Sequence, residues 1–115
     1  FTIIKQHGAL LAKGRLLGIQ FDELFRDDLY LRIGAPAIEA AERIRDALQE
    51  RGYEIYFESP TNQIFCIMDN DKLRAFGEKV EYGFWEKYDN QHTVIRLATD
   101  WATEPEKVDQ LLEVL

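Results

Sequence analysis

Hydrophobic positions along the chain change period several times, and each change marks an element. Leu10, Gly14, Leu17, Phe21 and Leu24 recur at spacings of four, three, four and three, which predicts a helical stripe within a segment from about Ile3 to Phe25. Leu11, Leu16 and Ile19 lie off that stripe, so the helix is apolar on more than one side. Gly8, Gly14 and Gly18 fall in the same segment, although each glycine costs about 1 kcal/mol against alanine in a helix interior. Close approach of another backbone would explain them. A neighbouring domain or subunit packed on residues 1–25, as on an inter-domain helix, and a central core helix are both open readings. A turn at Arg26-Asp27-Asp28 follows, and Leu29, Leu31 and Ile33 then alternate over a short extended stretch or a helical turn.

The next stretch is a helix. Pro36 fits a first helical turn, Ile38, Ala41, Ile44, Ala47 and Leu48 make the buried stripe, and Gly52 is the stop. Glu39 and Glu42 lie toward the positive end of its dipole and Arg51 toward the negative end. Tyr53, Ile55 and Phe57 then alternate with Glu54, Tyr56 and Glu58 as in a half-buried strand, and Ser59-Pro60-Thr61-Asn62 reads as a turn. Ile64 to Met68 is apolar throughout, as in a central strand. Asp69-Asn70-Asp71 offers caps to a short helix with Leu73 and Phe76 inward. Gly83–Tyr88 and Thr93–Ala98 read as two strands joined by a hairpin turn at Asp89-Asn90-Gln91. Thr103-x-x-Glu106 reads as a capping box for a last helix whose stripe is Val108, Leu111, Leu112 and Leu115. Strand pairs joined by short turns favour antiparallel pairing. The fold class expected is therefore α+β: a small antiparallel sheet of about four strands with helices on one face, preceded by a long N-terminal helix.

At 115 residues, 46% hydrophobic and 30% charged, the chain fits one globular domain over residues 1–115. It begins at Phe1 rather than Met, and its first helix has more apolar surface than a domain this small readily covers, so it is expected to be one domain of a larger protein. No basic n-region leads into an apolar h-region, and no apolar run approaches the roughly 20 residues that span a bilayer. The net charge of −7, without a basic stripe or a basic amphipathic helix, argues against nucleic acid and membrane surfaces as partners. The single cysteine, Cys66, has no internal partner, which fits a reducing, cytoplasmic setting.

Motifs for chemistry are sparse. His7 and His92 sit in no metal-ligand spacing, Asp69-Asn70-Asp71 lacks the glycine and distant glutamate of a calcium loop, and no P-loop, dinucleotide fingerprint or nucleophile elbow is present. No metal site is expected. Cys66 lies in the most apolar strand and reads as an inert core thiol. Arg96 stands out because it interrupts the apolar run Val94-Ile95-Arg96-Leu97-Ala98 on the face shared with Val94 and Ala98. It either snorkels to solvent or pairs with a glutamate on the next strand, or it forms a bidentate clamp for a carboxylate or phosphate. Lys13 and Arg15 bracket Gly14, where two cations could meet an anion, although residues two apart on a helix do not share a face.

Two stretches carry a resemblance: Lys5-Gln6-His7-Gly8-Ala9-Leu10-Leu11-Ala12-Lys13-Gly14-Arg15-Leu16-Leu17-Gly18-Ile19-Gln20-Phe21, and Val94-Ile95-Arg96-Leu97-Ala98-Thr99-Asp100-Trp101. Together they resemble the C-terminal region of threonine aldolases and related β-eliminating lyases, enzymes of the aspartate-aminotransferase-like class that use pyridoxal 5'-phosphate. The resemblance implies a C-terminal small domain and retro-aldol cleavage of a β-hydroxy-α-amino acid to glycine and an aldehyde. Arg96 would grip the substrate α-carboxylate, and Lys13 and Arg15 would lie near the cofactor phosphate of a neighbouring subunit. The lysine bonded to the cofactor would lie upstream of Phe1, leaving no catalytic residue here and an inactive domain in isolation. A small amino-acid substrate and a homodimeric or homotetrameric parent are likewise implied. Two other classes compete: a non-catalytic α+β domain that binds a small ligand or regulates, and an interaction module using the apolar face of residues 3–25.

Overall fold

A computed structural model describes residues 1–11 and 13–115; Ala12, within the first resembling stretch, lies outside the described residues. Contacts divide the chain into two compact units, Phe1–Arg32 and Ile33–Leu115.

In the first unit, helix α1 spans Thr2–Gln6 and α2 spans Arg15–Phe25. The expected helical segment is present, in two pieces. Gly8 takes φ +69, a left-handed conformation that closes α1, and its N–H donates to the Lys5 carbonyl. Gly14 is the residue at which α2 starts. A Cβ on Gly8, Gly14 or Gly18 would meet nothing within 4 Å, so no backbone among the described residues approaches them. The turn at Arg26-Asp27-Asp28 is present, with Asp27 and Asp28 at positive φ; a short polar side chain makes that conformation tolerable. Leu29–Ile33 resolves as a helical turn, α3. No described residue of this unit is buried. Phe21 stacks on Phe25 at 6.2 Å, and Phe25 lies 5.7 Å from Tyr30.

The second unit begins with α4 (Ala35–Glu50), with Pro36 in its first turn. Its buried stripe is Ala37, Ala41, Ile44, Ala47 and Leu48, with Ala37 rather than the expected Ile38 in the first position. Gly52, at φ +79, ends it as expected, and the Arg51 guanidinium donates to the carbonyls of Ala47 and Leu112. Four strands follow: β1 (Glu54–Ile55), β2 (Gln63–Asp69), β3 (Gly83–Lys87) and β4 (His92–Ala98). They form one antiparallel sheet in the order β1-β2-β4-β3. Helix α5 (Asn70–Gly77) follows β2, and α6 (Pro105–Val114) follows β4. The expected α+β architecture is borne out.

The main core lies between one sheet face and the helices. Ile64, Cys66 and Met68 of β2 and Ile95 and Leu97 of β4 meet Ala41, Ile44 and Leu48 of α4, Leu73 and Phe76 of α5 and Val108 of α6. Burying one such side chain is worth about 1.5–3 kcal/mol, which is what holds the helix layer to the sheet. Asp69 caps α5 as expected, its carboxylate accepting from the N–H of Asp71 at 2.9 Å and Lys72 at 3.1 Å.

Two local expectations are overturned. Phe57 does not face inward with Ile55: β1 ends at Ile55, and the Phe57 ring stacks on Phe65, on the opposite face, at 4.4 Å. The capping box is absent: Pro105 starts α6, so Glu104 is the cap, without a side-chain bond, and the Thr103 hydroxyl serves the turn at Asp100 instead.

Candidate functional site

The sheet face away from the core carries Arg96. Alternation along β4 sends Ile95 and Leu97 into the core and leaves Val94 and Arg96 on the other side. The register pairs Arg96 with Phe65 of β2 and with Gly83 of β3. Arg96 is exposed. Among the described residues the ion pairs are made by Arg26, Arg43, Arg74 and His92, so Arg96 lacks the glutamate partner left open by the sequence. The guanidinium stem lies against the bare backbone of Gly83.

Aromatic rings surround the position opposite Arg96. Phe65 stacks on Phe57 and meets Trp85 edge-on at 4.8 Å. Tyr56 lies 5.7 Å from Phe57 and 6.1 Å from Tyr88. Trp85 reaches this face because β3 carries an irregularity: the register runs Phe84↔Ile95 and then Glu86↔Val94, so Trp85 has no partner on β4. The Glu86 carboxylate, as hydrogen-bond acceptor and as a neighbouring charge, pushes the Tyr56 phenol above its ordinary value. Phe57, Tyr56, Trp85 and Tyr88 are all exposed. Sequence reading missed this cluster. Its signal was the number of aromatic residues in strand segments too short to bury them.

Below Arg96 the strand end is anchored. Thr99, three residues on and 4% exposed, donates from its hydroxyl to the Ala37 carbonyl at 2.6 Å, at the start of α4. Its N–H donates to the Asn62 carbonyl at 3.0 Å, and the Asn62 amide donates back to the Thr99 carbonyl. The polar position of the Arg96-x-x-Thr99-x-Trp101 pattern thus ties β4 to α4 and to the turn before β2. Trp101 is exposed.

Lys13 and Arg15 belong to the first unit and are both exposed. Lys13 precedes α2 and Arg15 is its first residue, with no acidic side chain in the first turn. His7 is exposed. His92 contacts the Asp89 carboxylate at 3.0 Å, a contact within the hairpin turn. The N–H groups of Gln91 and His92 and the His92 ring hold the Asp89 carboxyl below its ordinary value. Among the described residues no group of three or more His, Cys, Asp or Glu side chains is placed to hold a metal ion, and no helix is long and apolar enough to cross a membrane. Cys66 is fully buried, and burial pushes its thiol up to about 12.

No known protein-family model matches this sequence, and no curated protein matches it by sequence. Solved structures do match. Leishmania major threonine aldolase superposes with a TM-score of 0.86 at 34% identity, over 98% of this chain and 33% of its own. Sphingomonas wittichii serine palmitoyltransferase superposes with a TM-score of 0.57 at 17% identity, over 70% of this chain and 22% of its own, a likeness of fold. This chain therefore spans about a third of the length of the threonine aldolase it matches. The resemblance to threonine aldolases carried by the two sequence stretches is borne out.

Proposed function

We propose that this chain is the substrate-gripping small domain of a pyridoxal-phosphate-dependent lyase of the threonine aldolase kind, cleaving a β-hydroxy-α-amino acid to glycine and an aldehyde. The observation that carries the reading is Arg96, an exposed guanidinium on the open sheet face with no ion-pair partner among the described residues, in a chain 34% identical to a threonine aldolase. A planar fork of N–H donors matches both oxygens of a carboxylate, which a lysine ammonium does not. Holding the α-carboxylate at two points fixes the rotation of Cα and so selects which of its bonds is aligned to break.

The donor set fits the cofactor's phosphate. Lys13 and Arg15 stand at the start of α2, an 11-residue helix with no acid in its first turn. Two cations at the positive end of a helix dipole are unfavourable by themselves and are offset by a bound anion. The chemistry supplied by pyridoxal phosphate, when bound, is an electron sink for the pair left at Cα. Lys5, Lys13, Lys72, Lys79, Lys87 and Lys107 are all exposed, whereas a lysine that carries the cofactor works desolvated. In this reading that lysine lies in a further part of the full-length protein, residues 1–25 join the two parts, and the domain alone is inactive. Large apolar side chains exposed along residues 1–25, among them Leu16, Ile19 and Phe21, support a homodimeric or homotetrameric parent. The buried free thiol of Cys66 fits a reducing cytoplasm.

Arg96→Lys in the full-length protein tests the reading. Losing a bidentate charge-assisted pair, about 2–3 kcal/mol, should raise KM for threonine roughly 30- to 160-fold. An unchanged KM sinks it. Release of ammonia in place of an aldehyde would instead identify a β-eliminating relative.

A further inference from the structure

We propose that Gly83 is a positioning residue for Arg96: by having no side chain, it leaves the space across which the guanidinium reaches the open face. The inference rests on the carboxylate-clamp reading of Arg96 and adds the residue that sets its geometry.

Gly83 is the first residue of β3 and pairs directly with Arg96. Glycine inside a strand pairing is costly, because it loses more backbone freedom than any other residue and packs nothing. Its usual reason, a left-handed φ, is absent here: positive φ among glycines occurs at Gly8 and Gly52. A steric reason is present, and it points at one residue. A Cβ on Gly83 would stand 3.3 Å from Arg96 Nε, 3.4 Å from the Arg96 carbonyl oxygen and 3.5 Å from Arg96 Cβ. The Nε contact is the tightest, and Nε is where the guanidinium begins. On the β2 side Arg96 faces Phe65, whose ring stacks on Phe57 and meets Trp85 edge-on. Arg96 therefore faces a bare residue on β3 and an aromatic one on β2, and a methyl at position 83 would press on its Nε more closely than on the strand backbone.

The full-length protein, with arginine Nε labelled by ¹⁵N, provides the test. Gly83→Ala is expected to shift the Arg96 Nε–H resonance, to raise KM for threonine about tenfold with a smaller fall in kcat, and to leave the thermal midpoint unchanged or higher. Gly83→Val, which fills the space, should raise KM about a hundredfold. In an Arg96→Lys background, Gly83→Ala should add almost nothing to KM, because a residue acting through the guanidinium has nothing left to position. An additive effect there, or an unmoved Nε–H resonance, overturns the proposal even where Arg96→Lys behaves as the clamp requires. If Arg96→Lys leaves KM unchanged, the clamp has failed, and the resonance still decides whether Gly83 sets the place of Arg96.

Discussion

The two faces of one sheet are built from alternate residues of the same strands, yet they differ in kind. Toward the helices stand Ile64, Cys66, Met68, Ile95 and Leu97, all buried. On the other side stand Phe65, Ile67 and Val94, with Arg96, Tyr56, Phe57 and Trp85 exposed around them. Both faces bury apolar side chains, and the second also leaves a cation and aromatic rings exposed. Ile95 and Arg96 are the sharpest probe of that difference, being adjacent in β4. Ile95→Ala should destabilise the protein by about 3 kcal/mol, from lost burial plus a cavity. Arg96→Ala should change stability by less than about 0.5 kcal/mol, as expected at an exposed position with no ion pair. Urea unfolding of both variants checks this, and comparable losses would dissolve the distinction between the faces.

Thr99 is the polar exception on the buried side, continuing the alternation of Ile95 and Leu97 toward α4. Thr99→Val keeps the shape and removes the hydroxyl donated to the Ala37 carbonyl. A loss of about 1–2 kcal/mol in urea unfolding is expected. The anchor sits three residues from Arg96, so a rise in KM for Thr99→Val would show that the buried face also sets the geometry of the open one.

Helix stripes and the apolar β2 run were legible because they follow periods of 3.6 and 2, and burial enforces those periods. Leu48, Cys66, Leu73, Phe76 and Val108 are inward as their spacing required. Arg96 was legible as an exception to an apolar strand. Its surroundings were not, because they depend on register. Nothing local to Gly83 says that it faces Arg96, and nothing local to Trp85 says that an irregularity of β3 turns it onto Phe65. Phe57 leaves the alternation for a related reason: nothing local shows that β1 stops at Ile55. The glycines of residues 1–25 suggest close approach of another backbone, whereas Gly8 ends a helix by its φ.

Acid should act mainly on the rim of the sheet, not on its buried face. Asp69 and Asp89 both accept backbone N–H bonds, which hold their carboxyls below the ordinary value in the folded protein. A lowered folded pKa means stability that is fully present above the unfolded value and lost as pH falls through the folded one. The thermal midpoint should therefore be flat above the usual carboxylate range and fall below it. Asp69→Asn with Asp89→Asn should flatten that fall, since asparagine can still cap a helix but does not titrate. A steep fall that survives in the double variant would assign the acid sensitivity to other carboxylates.

The smallest effect belongs to the outer surface of the helix layer. Arg43 of α4 pairs with Asp109 of α6, with side chains 48% and 55% exposed. Solvent screens such a pair, and ordering two long side chains opposes it, so its coupling should be about 0.2–1 kcal/mol. A double-mutant cycle of Arg43→Ala and Asp109→Ala measures it, and raising the salt to about 1 M, where the screening length is near 3 Å, should shrink it further. A coupling well above about 1 kcal/mol, insensitive to salt, would mean that charge holds α4 to α6 alongside the apolar contacts of Ile44 and Val108. The helix-covered face would then be held by charge as well as by apolar contact, which narrows its contrast with the face that carries Arg96.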